Sequence, residues 1–523
     1  MENLAFLQKS RVRNSAKRTA VVASIPAPVG GWNARDPLSS MDPKDAISLE
    51  NYWPLPYDVM LRKGYTKHKT GLPTQVESLM PYNGPVTRKL FAASGTAFYD
   101  VTSAGAVGAA VVTGLTNARW EDINITTAGG SYLLAINGTD RLRGYDGTNW
   151  WTDGDGTHDI TGLTGTTSTI TNINLFKNRV WLIQGSTLKA WYLPVNSIAG
   201  VASAIDLQSI VRSGGHLVAM GTWTIDAGFG VDDFAAFITS EGEIAVFRGT
   251  DPDNAVSWAL TGVWNIGAPF STRCMMKFGG DLLVLTYDGL YPLAEALQSS
   301  RLDPRVAITN KIYSAISDAT TNYGSSNGWE MEYYAKANML FINIPVAVGA
   351  QQQFAMNTIT KAWTNFTGIY SNCWCIFGDE PYFGGNAYVG KFWGAWSDDS
   401  TNIVGNAKQA FNYFGMRGAT KRWTMMRPTL RTNGTPTVLV ALNTDFSDFD
   451  PTGQLSFSSS PAGLWDSALW DQGLWGASLN VSNAWQGING QGYCAAVRLK
   501  VASAGIEIHW AATDLVMEKG GVL

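Results

Sequence analysis

Four histidines, four cysteines and two acidic turns are the material for chemistry in this 523-residue chain. His68, His158, His216 and His509 lie far apart, and none sits in an HExxH, CxxC or GxSxG setting. Cys274, Cys373, Cys375 and Cys494 are too scattered for a disulfide framework. Cys373 and Cys375 are two apart, so a strand would put both on one face as packed, reduced thiols. The stretch DGDGTHD gives Asp153, Asp155 and Asp159 the opening spacing of a calcium loop, with Gly156 for the turn. The bidentate acid expected at loop position twelve is missing, because Thr164 stands there. A solvated loop of Asx turns is the stronger reading, with a weak calcium site as its alternative.

The stretch YDGTNWW at 145–151 approaches the Asp-box turn of sialidases, but Asp146 and Gly147 are adjacent where the box needs a spacer. No arginine cluster accompanies it, and no Walker or dinucleotide-binding motif appears. The chain therefore reads as a protein without a catalytic constellation, cofactor or metal. Charge is segregated instead. Lys408, Arg417, Lys421, Arg422, Arg427 and Arg431 fall in a stretch without an acidic residue. That run suits contact with DNA or an acidic connector protein, or else the solvated outer face of a strand. Trp465, Trp470 and Trp475 recur every fifth residue in GLWDSALWDQGLWG. A spacing of five makes no shared stripe on a helix or strand. The segment reads as a loop of repeated turns, and its tryptophans as candidate subunit-interface anchors.

The elements that position these residues are β-strands. Charged residues are only 15% of the chain, while Gly (55) and Trp (21) are abundant, which suits a turn-rich β protein. The formal net charge of −4 excludes a generic nucleic-acid binder. No run approaches the ~18 apolar residues of a membrane span. An apolar run, a Gly/Asn/Asp/Ser turn and a second apolar run recur at 90–101, 132–147, 180–193, 234–249, 282–293, 339–363 and 381–393. That is a hairpin signature, and its recurrence predicts a β-propeller of six or seven blades over 29–400. Residues 1–28 read as a basic arm. Long alternating runs after Trp396 predict a C-terminal β-sandwich platform over 401–523 that holds the Trp-rich loop. A short helix is expected at Pro43–Asn51, capped by Asp42, and another within 293–320.

The stretch Val29–Tyr65 carries a Gly-Gly turn, Asn-x-x-Asp-Pro, Ala46 and Leu49, Glu50-Asn51, a Pro-rich link and Arg62-x-Gly64-Tyr65. This order resembles the opening of tail nozzle proteins of short-tailed bacteriophages, also described as packaged-DNA stabilisation proteins. The likeness extends through the hairpin repeats to the strands near RWTMMRPTL and IEIHWAATDLV. It implies a structural virion-tail protein, assembled in the host bacterial cytoplasm as a homohexameric ring. Such a ring sits below the portal and connector, carries fibres or a needle, and passes double-stranded DNA without sequence specificity. It inserts into no membrane. The alternatives are a carbohydrate-binding propeller or adhesin, using Trp150, Trp151, Trp191, Trp258 and Trp363 at blade ends, and thirdly a glycosidase-like propeller.

Overall fold

The computed structural model describes residues 20–226, 231–254, 256–296, 304–347, 349–455 and 479–522. The Trp-rich segment with Trp465, Trp470 and Trp475 lies outside them, as do residues 1–19. The described chain is all-β apart from short helical turns and one helix, Tyr313–Tyr323, which overlaps the expected 293–320 stretch and runs three residues past it.

All seven recurrent stretches form antiparallel hairpins. Each belongs to its own sheet segment of three or four strands. In Arg179–Gln184, Val180 and Leu182 face the preceding sheet, while Trp181 and Ile183 face the next. Burial on both faces explains the near-continuous apolar runs. Seven apolar clusters follow in order, each shared by two consecutive sheets. The last cluster joins Cys373 and Cys375 to Leu79 and Leu90, which returns the packing to the first sheet. This is a β-propeller arrangement.

One strand spans the seam. Gly64–Asn83 pairs through residues 64–75 with Asn386–Ala395 of the last sheet, and through residues 76–83 with Arg88–Ser94 of the first. Register shifts at both stretches let the strand bend from one sheet into the other.

The remaining strands form a platform of two sheets around one core. Ala20–Pro26, Tyr52–Pro54, Val59–Leu61, Ala419–Thr432, Asn480–Ser482, Gln486–Gly492 and Ile508–Val522 make one sheet. Ile403–Gln409, Ala495–Ser503 and Thr437–Thr444 pair in the other. Trp423, Trp510 and Leu515 from the first meet Ala407, Val440 and Leu499 from the second.

Two expectations are corrected here. Residues 20–61 pair with the C-terminal strands, so the platform begins at the N-terminal end of the chain and not at 401. The helix expected at Pro43–Asn51 is the strand Asp45–Glu50. The Asp42 carboxylate does accept the Lys44 amide at 2.8 Å, but in a turn that launches a strand. That strand pairs with Ile403–Gln409 and touches Asn365 at Glu50, so it bridges the platform to the sixth sheet. Tertiary pairing overrides a weak local helix signal.

Candidate functional site

The residues of the Val29–Tyr65 stretch converge where platform meets propeller. Arg62 closes the strand Val59–Leu61 and is fully buried. A buried guanidinium must satisfy five N–H donors. Arg62 Nε donates to Asn51 Oδ1 at 2.8 Å. Nη1 donates to Asp398 Oδ1 at 2.8 Å and to the Lys63 carbonyl at 3.1 Å. Nη2 donates to Asp398 Oδ2 at 2.6 Å and to the Thr367 carbonyl at 2.8 Å. The fork on Asp398 is bidentate, the strongest form of such a pair.

Asn51 completes the joint. Its backbone is left-handed (φ 58), a conformation asparagine tolerates. Its Nδ2 donates to Thr367 Oγ1 and to the Val404 carbonyl. Gly64 packs so closely that a Cβ would lie 2.0 Å from the Ser397 carbonyl oxygen. A second tie stands beside it. Lys311 Nζ donates to Asp45 Oδ1 at 2.6 Å and to the Gly30 carbonyl at 2.7 Å. Asp45 Oδ2 in turn accepts Asn33 Nδ2 at 2.8 Å. Gly31 has φ 81 and lies against the Trp363 backbone, so the Gly-Gly turn has a steric reason. The quoted residues are therefore the fastening of the two bodies.

A second polar cluster plugs the propeller axis. Arg273 Nη2 donates to the Trp120 carbonyl at 2.8 Å and to Ser78 Oγ at 2.9 Å. Its other nitrogens lie 3.3 Å from Glu121 and 3.3 Å from Glu330. These partners come from the first, second and sixth sheets. Beyond the plug is a cavity of about 470 Å³ lined from every sheet, including Leu79, Ile123, Ile173, Met220, Met331 and Ile376. Asp122 and Glu332 also face it. Desolvation pushes the Asp122 carboxyl up to about 8, with Arg273 opposing and Glu121 and Glu330 adding to the rise. Desolvation and then Glu330 push Glu332 up to about 8. Sequence reading missed this cluster, because nothing local marks Glu121, Arg273 and Glu330 as neighbours.

The basic run is mostly spent inside the platform. Lys408 is buried, and Nζ donates to the Ser447 carbonyl and Asp448 Oδ1. Lys421 is buried and donates to the carbonyls of Met416, Ala419 and Tyr493. These two are corrected out of the contact set, because their ammonium groups cannot reach a partner. Arg427 forms a fork on Asp514, and Arg431 pairs with Asp58. Arg417 is exposed, donates to the Ser39 carbonyl and lies 4.3 Å over Tyr413. Arg422 is exposed opposite Glu518 in the strand register.

The acidic loop is built of carboxylates that accept hydrogen bonds from nearby amides and a hydroxyl. Asp153 accepts the Ile160 amide and Thr167 Oγ1, Asp155 accepts the Thr157 and His158 amides, and Asp159 accepts the Gly156 amide. The three carboxylates are turned to separate donors, and no metal-holding group of acids, His or Cys occurs among the described residues. The blade-end tryptophans serve packing. Trp151 and Trp191 are buried in one inter-sheet core and Trp363 in another, while Trp150 and Trp258 pack against buried aromatic rings. No helix among the described residues is long and apolar enough to cross a membrane.

No family profile matches the sequence, and no curated protein matches it. Distant likenesses of fold do occur. BBS1N in complex with ARL6DN is 8% identical, over 63% of this chain and 97% of that one, with a TM-score of 0.38. YCF48 bound to D1 peptide is 12% identical, over 62% and 93%, with a TM-score of 0.35. A family 43 arabinoxylan arabinofuranohydrolase from Bacillus subtilis is 12% identical, over 90% and 95%, with a TM-score of 0.27. Likenesses this distant say nothing of activity.

Two outcomes follow from the geometry. Replacing Asp398 with Ala strands the Arg62 charge, and should cost about 3–5 kcal/mol in denaturant unfolding. Arg62→Lys should also lose stability, since one ammonium cannot serve five acceptors. A loss below about 1 kcal/mol on Asp398→Ala contradicts the joint. The cavity carboxyls Asp122 and Glu332 act oppositely. A raised folded pKa means the folded state holds the extra proton, so stability falls as pH rises from about 4 through about 8. Glu332→Gln removes that penalty. Its gain in melting temperature should be larger at about pH 9 than at about pH 5, and an equal gain at both argues against a desolvated carboxyl.

Proposed function

We propose that this chain is a structural subunit of a phage tail nozzle, a seven-bladed propeller carrying a two-sheet sandwich platform. The single observation behind this reading is the role of the Val29–Tyr65 residues. The residues that carry the resemblance are the ones that fasten propeller to platform. A nozzle subunit needs such a rigid two-body unit and needs no reaction.

The plugged axis refines the proposal. A cavity of about 470 Å³ behind Arg273 leaves no passage for a duplex within one propeller. The DNA conduit is then the space between chains arranged around a common axis. DNA carries about one charge per 1.7 Å, so a lumen rich in Lys and Arg would grip it. Burial and pairing of Lys408, Lys421, Arg427 and Arg431 support a lumen of acidic and neutral side chains. Arg417 and Arg422 are the remaining candidates for docking an acidic connector ring. The carbohydrate-binding alternative loses its feature, because the blade-end tryptophans are packed.

Mass photometry of the purified full chain, alone and with connector rings, tests the reading. The expected species is a closed ring of six chains that binds the connector. A stable monomer that retains sugar on a glycan array overturns it.

A further inference from the structure

Among the described residues, the platform sheet that holds Ile508–Val522 has two unpaired edges at the same height. Ala20–Pro26, Ile508–Val522, Ala419–Thr432 and Gln486–Gly492 pair side by side, each antiparallel to the next. One row across them reads Val22, Val516, Met425 and Gly487. Among the described residues, Ala20–Pro26 pairs on one side only, and so does Gln486–Gly492.

Natural sheets protect such edges with lysine, inward charges or short, bulged strands. These edges have no charge at all. The first reads AVVASIP and the second QGINGQG. The first exposes apolar side chains, and the second exposes only Gly487, Asn489 and Gln491. Val21 and Val22 are 53% and 57% exposed on one edge, and Val481 on the adjoining short strand at the other is 61% exposed. Between the edges Met425 is 38% exposed. The apolar row is bracketed by Arg422 opposite Glu518 and by the Arg427–Asp514 pair. The charges therefore frame the row without interrupting it.

We infer that the two edges meet between copies of this chain, so that Ala20–Pro26 of one copy adds to Gln486–Gly492 of the next. The occupant is a second copy for a geometric reason. With four alternating strands, the two edge strands run in opposite directions. Side-by-side repetition about an axis places them antiparallel and continues the alternation unbroken. The contact is head-to-tail, the kind that closes into a ring. Gly487 has open space where a Cβ would stand, so a side chain can be placed there without a clash. Main-chain hydrogen bonds would supply the affinity, as in other strand additions. This inference rests on the ring reading above and names its seam.

The test compares the wild-type full chain with Val22→Lys and Gly487→Lys by mass photometry across a concentration series. Both positions are open, so each variant should keep the wild-type melting temperature. Each should need at least about tenfold more chain to half-assemble, because a lysine on a strand edge opposes pairing. A ring that forms normally from both folded variants removes the edge proposal and leaves the nozzle reading standing. A wild-type chain that stays monomeric at every concentration removes both.

Discussion

A guanidinium taken out of water must find five acceptors, and the architecture is organised around meeting that demand at Arg62. The acceptors come from the start of the platform at Asn51, the link between sixth and seventh sheets at Thr367, and the exit from the propeller at Asp398. Such a group does not drive folding through its own net energy, since desolvation offsets much of the attraction. Its effect is specificity. Any arrangement that separates the segments leaves a buried charge without partners. The platform and propeller are thereby held in one relation.

Chain topology works toward the same end. The N-terminal strands enter the platform first, the chain then makes the seven sheets, and it returns to finish the platform core. The strand Gly64–Asn83 lies across the propeller seam directly after Arg62. The joint and the ring closure are consecutive along the chain, so disturbing one disturbs the other. The axis is sealed independently by Arg273 and its carboxylates. Among the described residues, the strands Ala20–Pro26 and Gln486–Gly492 each pair on one side only.

Much of the fold was legible because the hairpins carry two local signals, apolar runs and turn residues, that act within a few positions. The platform's long alternating strands were legible for the same reason. The helix misreading at Pro43–Asn51 came from a capping Asp and a proline that are equally at home before a strand. The basic run misled because its acids, Asp58, Asp448 and Asp514, lie elsewhere in the sequence and meet it only across strands. Asp398 gave no sign of its role, being 336 positions from Arg62. The glycines and the Arg62-x-Gly64 spacing could be quoted as a pattern, but their steric purpose needed the Ser397 and Trp363 backbones beside them.

One buried cation, Arg62, locks the platform and the propeller together. Amide hydrogen exchange on the full Asp398→Asn chain tests it most directly. Protection should fall together at residues 51–52, 64–75 and 397–405, while the second and third sheets keep theirs, because local opening follows the lost joint. Unchanged protection across those three segments, in a chain shown to carry the substitution, would contradict the account.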